Sequence, residues 1–409
     1  MLNKLVSKQG YEIIHIYKPE SKLVYTNFVV RSGSFHEDDK TNGVAHFLEH
    51  MNFQGFKDKN KKQILFDSCI LGYFNAYTSY FNTVYEFNCL NESFVESLKL
   101  MSGMVFESIL PKEELEKERN VILEEWRTSD GDQNSNFYDE FCSRYFFNYK
   151  SVLGTESSIK KISRNDLINY KNKWYGKENI IIVVVGGITS ENLLRVIDET
   201  LPDKSCQSTP IYMNLWGSSH KPIEIKTNKF HQGVHSLVKP LSREVELIND
   251  NIISFFLSAI NYLLYKTIRD DYGLCYNIGA NYLGHFKNQY FYTNSLIKKE
   301  NISLIGEKIQ ELFDEIIKNG FPKDAYEICL KKTQYNFSSY LNKHHVIHNF
   351  ITSNLEINQK IDTVCEVLNK KLSENYIELK AKQINADILQ QVATENLQNF
   401  TEFVMVPDN

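Results

Sequence analysis

Six consecutive β-branched residues, Ile180 to Val185, place the strongest constraint on how this chain can fold. A strand with one wet face alternates apolar and polar residues. An unbroken apolar run, closed here by Gly186 and Gly187, implies instead a central strand buried on both faces. Such a strand needs a covering layer on each side of its sheet, and the segment that follows, 190–201, returns to a helical period.

The chain has 409 residues, more than one hydrophobic core ordinarily supports, which predicts two domains of about 200 residues each. Residues 22–34 are rich in strand formers and end in a Ser-Gly-Ser turn. Residues 42–52 carry Val44, Phe47, Leu48 and Met51 on one helical face. The aromatic-rich stretch 71–90 reads as two strands joined near 80–82, and 94–108 and 111–127 read as helices, the second opened by Pro111. The stretch 202–222 has no period and contains Pro202, Pro210 and Pro222. It places a linker at 206–222 between halves 1–205 and 223–409. The second half repeats the order: a β-like start, a helix over 251–269, strands within 276–296, and helices from Ile302 onward. The expected class is α+β, two similar halves with antiparallel sheets packed by helices.

A net charge of −5 offers no basic face for a phosphate backbone, so nucleic acid is not expected as a partner. The seven cysteines are scattered without a CxxC pair, which fits neither a disulfide framework nor a thiolate zinc site and suits a reducing compartment. The first twenty residues lack the apolar stretch of a signal peptide, and no run of about 18 apolar residues spans a membrane. The expectation is a cytoplasmic protein.

Chemistry concentrates in Gly43-Val-Ala-His46-Phe-Leu-Glu49-His50-Met51. Helical positions i and i+4 share a face, so His46 and His50 can direct two imidazoles to one zinc ion. Glu49, three residues after His46, is offset on the same side and is placed to take a proton from the attacking water. A catalytic zinc needs a third protein ligand and an open position. The acidic helix that follows offers Glu118 and Glu125, two turns apart on one face, one as ligand and the other orienting a histidine. Two other histidine pairs, His231 with His235 and His344 with His348, have no acidic third member and read as surface or core residues.

These segments resemble the M16 family of zinc peptidases, in its short bacterial form. The segment from Gly43 to Gly55 (GVAHFLEHMNFQG) is similar to the family's active-site signature, and Glu118 to Glu125 (ERNVILEE) to the segment that holds its third zinc ligand. The resemblance assigns that ligand to Glu125 and a supporting carboxylate to Glu118. It makes Asn75, Ala76, Tyr77, Thr78 and Ser79 an edge strand that binds peptide. It makes Arg269 and Tyr276 a pair that reaches the substrate from the second half. It further implies one Zn2+ per chain, hydrolysis of peptides or unfolded precursor segments, and a chamber enclosed by the two halves. A homodimer, or a heterodimer with a related subunit, is also implied. The alternative reading is a peptide-binding or regulatory subunit whose partner performs the cleavage.

Overall fold

The computed structural model describes residues 2–57, 59–146, 149–208, 222–240, 250–285, 288–342, 351, 361, 362, 365 and 385–408. Most of the expected linker (209–221) and both His344 and His348 lie outside these residues. Packing divides the chain into two compact units, each assembled from three stretches of sequence. The first comprises Met1–Asp130, Asn148–Met213 and Leu341–Leu372; the second comprises Gly131–Phe147, Asn214–Tyr340 and Ser373–Asn409.

The first unit begins with strands β1 (Leu2–Val6), β2 (Glu12–Tyr17) and β3 (Leu23–Val30). Helix α1 (Val44–Asn52) is followed by a two-residue ladder, β4 (Gly55–Phe56) with β5 (Lys59–Asn60), and by α2 (Lys61–Leu71). The aromatic-rich stretch forms the hairpin β6 (Gly72–Thr78) and β7 (Thr83–Leu90), its turn closed by Ser79 N donating to Asn82 O at 2.7 Å. Helices α3 (Phe94–Glu107) and α4 (Lys112–Gly131) come next. Helix α5 (Gln133–Tyr145) belongs to the second unit, whereas α6 (Glu156–Lys161), α7 (Arg164–Trp174), β8 (Ile180–Gly186) and α8 (Ser190–Thr200) complete the first.

The six strands are ordered β1-β2-β8-β3-β7-β6. The β-branched run is β8, a central strand as its composition demands. Ile180, Ile182 and Val184 face the helix-covered core, while Ile181, Val183 and Val185 join Ile14, Ile16, Val29 and Val84 on the opposite face. That second face is covered by Ile351, Ile361 and Cys365, residues from far along the chain.

The second unit contains β9 (Ile223–Thr227), β10 (Gly233–Pro240) and α9 (Asp250–Leu264), which runs on as a π-helical turn over Tyr265–Asp271. Then come β11 (Cys275–His285), β12 (Asn288–Ile297), α10 (Ile302–Asn319), α11 (Lys323–Asn342), α12 (Ala386–Asn396) and β13 (Thr401–Pro407). One face of its sheet packs on α9, α10 and α12. The aromatic stripe of α5 stacks against strand residues of the same unit, with Phe137 and Phe403 ring centroids 5.4 Å apart and Tyr145 and Tyr290 5.2 Å apart.

The second sheet reads β11-β12-β10-β13-β9. Counting strands from β2 in one unit and β9 in the other, both sheets follow a single spatial order: first, fifth, second, fourth, third. In both, the first and fifth strands pair parallel while the others pair antiparallel. The expected antiparallel sheets are therefore mixed ones. Residue pattern reports burial but not strand direction. A strand reached through helical crossovers can be laid down parallel to an earlier one, which a tight hairpin cannot do. Among the described residues, no helix is long and apolar enough to cross a membrane.

Candidate metal centre

Helix α1 starts where the backbone forces a turn. Gly43 has φ 94°, and a Cβ there would lie 2.7 Å from the Leu153 carbonyl oxygen, so both the left-handed conformation and the close approach call for glycine. Glu37 caps the helix from outside it: one carboxylate oxygen accepts from Gly43 N (2.7 Å) and the Asn42 side chain (2.8 Å), the other from Ala45 N (2.8 Å). Negative charge at a helix N-terminus is favourable, but Glu37 is buried, and burial pushes its carboxyl up to about 7 against those three hydrogen bonds. Val44, Ala45, Phe47, Leu48 and Met51 are buried in the core. This leaves His46 and His50 on the partly open side.

The two imidazoles lie with ring centroids 4.6 Å apart. Glu125 reaches them from α4, with its Oε2 3.7 Å from His46 Nε2 and 3.5 Å from His50 Nε2. Donors about 2.0–2.1 Å from a tetrahedral zinc are separated from one another by about 3.4 Å, so these spacings fit such an ion. The donor set, two imidazoles and one carboxylate, is one that catalytic zinc takes with a fourth position open. Glu118 occupies the orienting place: His50 Nδ1 lies 3.3 Å from its Oε2. An Nδ1–H donated there leaves the Nε2 lone pair facing the other two donors. His46 Nδ1, by contrast, is buried without a hydrogen-bond partner among the described residues.

The electrostatics follow from this crowding. Burial, aided by the neighbouring His50, pushes His46 down to about 4. Burial also opposes a charge on His50, but hydrogen bonds with Glu118 and Glu125 and the field of Glu125 and Glu49 outweigh it and hold His50 up at about 9. Glu125 is lowered, chiefly by its hydrogen bond with His50. Burial works to raise Glu118, yet hydrogen bonds to His50 and Lys61 bring it below the ordinary carboxylate value. Three carboxylates converging on two imidazoles make a site that favours a cation.

Glu49 is buried on α1, and burial raises its carboxyl, the direction suited to accepting a proton. Its Oε2 accepts a hydrogen bond from Thr78 Oγ1 at 2.8 Å. Thr78 ends β6, the edge strand of the first sheet, whose outer side has no strand partner among the described residues. Within the expected peptide-binding segment, Asn75 and Tyr77 are exposed while Ala76 and Thr78 are half-buried. The hydroxyl of Thr78 therefore serves Glu49, and Ser79 closes the β6–β7 turn.

Arg269 and Tyr276 lie in the second unit, Arg269 in the π-helical turn and Tyr276 in β11. The Arg269 guanidinium sits 4.2 Å over the Tyr265 ring and 5.1 Å from that of Tyr276, and Tyr276 is 80% exposed. His235 is a buried core residue of β10, its Nε2 2.8 Å from Glu402 Oε1. Sequence reasoning missed the cap supplied by Glu37, the Thr78–Glu49 bond, and Lys61, whose Nζ lies 2.9 Å from Glu118 Oε1. Only Lys61 carries a faint signal in the sequence, a cation in the first turn of a helix.

Residues 12–152 match the family model described as insulinase (peptidase family M16), and residues 161–332 match the one described as peptidase M16 inactive domain. An uncharacterized zinc protease of Rickettsia bellii is 26% identical over 414 aligned residues, covering 98% of this chain and 97% of that protein. The mitochondrial-processing peptidase subunit beta of Neurospora crassa is 30% identical over 196 residues, 47% of this chain and 41% of its own length. Among solved structures, a protease from Helicobacter pylori has the same fold, with a TM-score of 0.83 at 18% identity over 100% of this chain and 99% of that one.

Proposed function

The chain belongs to the M16 peptidase family, and on that footing we propose that it is a zinc-dependent endopeptidase acting on peptides or unfolded precursor segments. The observation that carries this reading is the convergence of His46 Nε2, His50 Nε2 and Glu125 Oε2 at the spacing of zinc ligands, with a buried carboxylate, Glu49, on the same helix. His46, His50 and Glu125 would hold the ion. Zinc bound there would polarise the scissile carbonyl and acidify water.

The remaining work falls to the chain's own residues. Glu49, oriented by Thr78, takes the proton of the attacking water and passes it to the leaving amine. Glu118 keeps His50 in the tautomer whose Nε2 is a lone-pair donor. The open side of β6, around Asn75 to Ser79, receives an extended peptide by strand addition, so main-chain hydrogen bonds supply affinity. Arg269 and Tyr276 are proposed to hydrogen-bond substrate main chain or the developing oxyanion. The alternative, a non-catalytic subunit serving a partner peptidase, has the intact ligand set and Glu49 against it.

The test is zinc content together with cleavage of a quenched, unstructured peptide library, comparing wild type with Glu49→Gln. Zinc in both and cleavage by wild type alone is the expected result. Zinc in both with equal cleavage would remove Glu49 from the mechanism, and a wild type without zinc would sink the metal reading.

A further inference from the structure

Helix α2 is poorly anchored for an element beside a metal centre: of its eleven residues only Ile64 is buried. Its start is nevertheless fixed. Asn60 Oδ1 accepts from Gln63 N at 3.1 Å, and Gln63 Oε1 accepts from Asn60 N at 2.9 Å, a reciprocal cap that sets the backbone of the first helical residue, Lys61. A lysine there has the wrong sign for the helix dipole, and no acidic residue in the first turn offsets it. Its counter-charge lies across the site. Lys61 Nζ is 2.9 Å from Glu118 Oε1, while the other oxygen of the same carboxylate is 3.3 Å from His50 Nδ1. Glu118 is buried, and each of its two oxygens has one of these partners.

We infer that Lys61 is a positioning residue of the metal centre: it holds the Glu118 carboxylate turned so that its other oxygen fixes the Nδ1–H of His50. The effect reaches the ion through two contacts, Lys61 to Glu118 and Glu118 to His50. Among the described residues His46 Nδ1 has no such partner, so there the chain Lys61–Glu118–His50 is the outer support that the two imidazoles receive. Outer partners of metal-binding histidines typically govern 10- to 100-fold in metal affinity, and a residue one step further out belongs near the lower figure, about 10-fold.

This inference rests on the zinc reading above, and its test separates the two. Zinc affinity is measured on the full chain by competition with a chromophoric chelator, at low and high salt, for wild type, Lys61→Met, Lys61→Gln and Lys61→Arg. The expected result is affinity about 10-fold weaker in Lys61→Met and Lys61→Gln, with melting temperatures preserved and partial recovery in Lys61→Arg. The gap should narrow at high salt, because the half-exposed Lys61 ammonium is screened. A wild type that takes up no zinc sinks the metal reading itself. Equal affinity in wild type and both neutral variants overturns the role of Lys61 alone. So does a deficit that salt leaves unchanged and arginine does not restore, since that would mark a purely structural effect.

Discussion

In the first unit, the first helix after the second strand of the shared order is α1, which turns His46 and His50 to its open side and Glu49 toward Thr78. In the second unit, the same place is taken by α9, which buries Ile252, Phe255, Phe256, Ala259, Ile260, Leu263 and Leu264 and carries no charged residue after Asp250. The difference extends beyond the helices. The first unit buries Glu37, Glu49, Glu118, Arg119, Lys150 and Lys171, whereas the described residues of the second bury no Asp, Glu, Lys or Arg. Removing a charge from water is costly unless it is paired and hydrogen-bonded. Five of these six have hydrogen-bonding partners that offset that cost: Glu37 the backbone of α1, Glu49 the hydroxyl of Thr78, Glu118 both Lys61 and His50, Lys150 Asp39, Arg119 the carbonyls of Ile159 and Ile162, whereas Lys171 meets the neutral oxygens of Ser108 and Asn52. One sheet order thus supports a unit specialised for packing and a unit that tolerates buried charge around a site.

The comparison breaks most visibly at the two equivalent helices. Glu49→Gln should lower kcat by about 10²- to 10⁴-fold with zinc content and melting temperature essentially kept, because it removes proton transfer and leaves α1 packed. On α9, Phe256→Ala should cost about 3–5 kcal/mol in denaturant unfolding through the cavity it opens, without weakening the zinc affinity of the folded protein. If Phe256→Ala abolished zinc binding while folded, the division of labour between the units would fail. Glu118→Gln should weaken zinc about 10- to 100-fold by chelator competition while retaining the fold, since His50 loses its ionised partner.

The smallest effect concerns Lys171, buried, its side-chain nitrogen in contact with Ser108 Oγ and 3.2 Å from Asn52 Oδ1. Burial holds its pKa well below the ordinary 10.5. The unfolded chain therefore binds a proton more readily, and stability rises with pH between the lowered value and 10.5, by at most about 1.4 kcal/mol per unit. Lys171→Met should flatten that rise in denaturant titrations across the alkaline range. An unchanged slope would mean that Lys171 keeps its proton in the fold.

Much of the first unit was legible because its signals are local. The period of 42–52 gave α1 and the shared face of His46 and His50. The aromatic stretch gave β6, β7 and their turn, and the β-branched run gave β8. The N-terminal strands β1 and β2 and helix α2 were not read. The period of α2 is blurred because Leu65, Phe66 and Ile70 are exposed rather than buried. Thr78 was read as part of a peptide-binding strand, and its bond to Glu49 could not be read because it joins residues 29 positions apart.

What the sequence determined by itself is whatever a repeat of two or 3.6 residues enforces: a strand buried on both faces, a helix presenting two imidazoles to one point, and two carboxylates on one face of α4. The tertiary structure decided which of those carboxylates meets both Nε2 atoms and which meets Nδ1. It also decided that α5 stacks on the second sheet, that Ile351, Ile361 and Cys365 cover the first, and that each sheet holds one parallel pair. These outcomes depend on residues tens to hundreds of positions apart. Local periodicity fixes which face a side chain occupies, but the partner on that face is chosen only when the whole chain is packed.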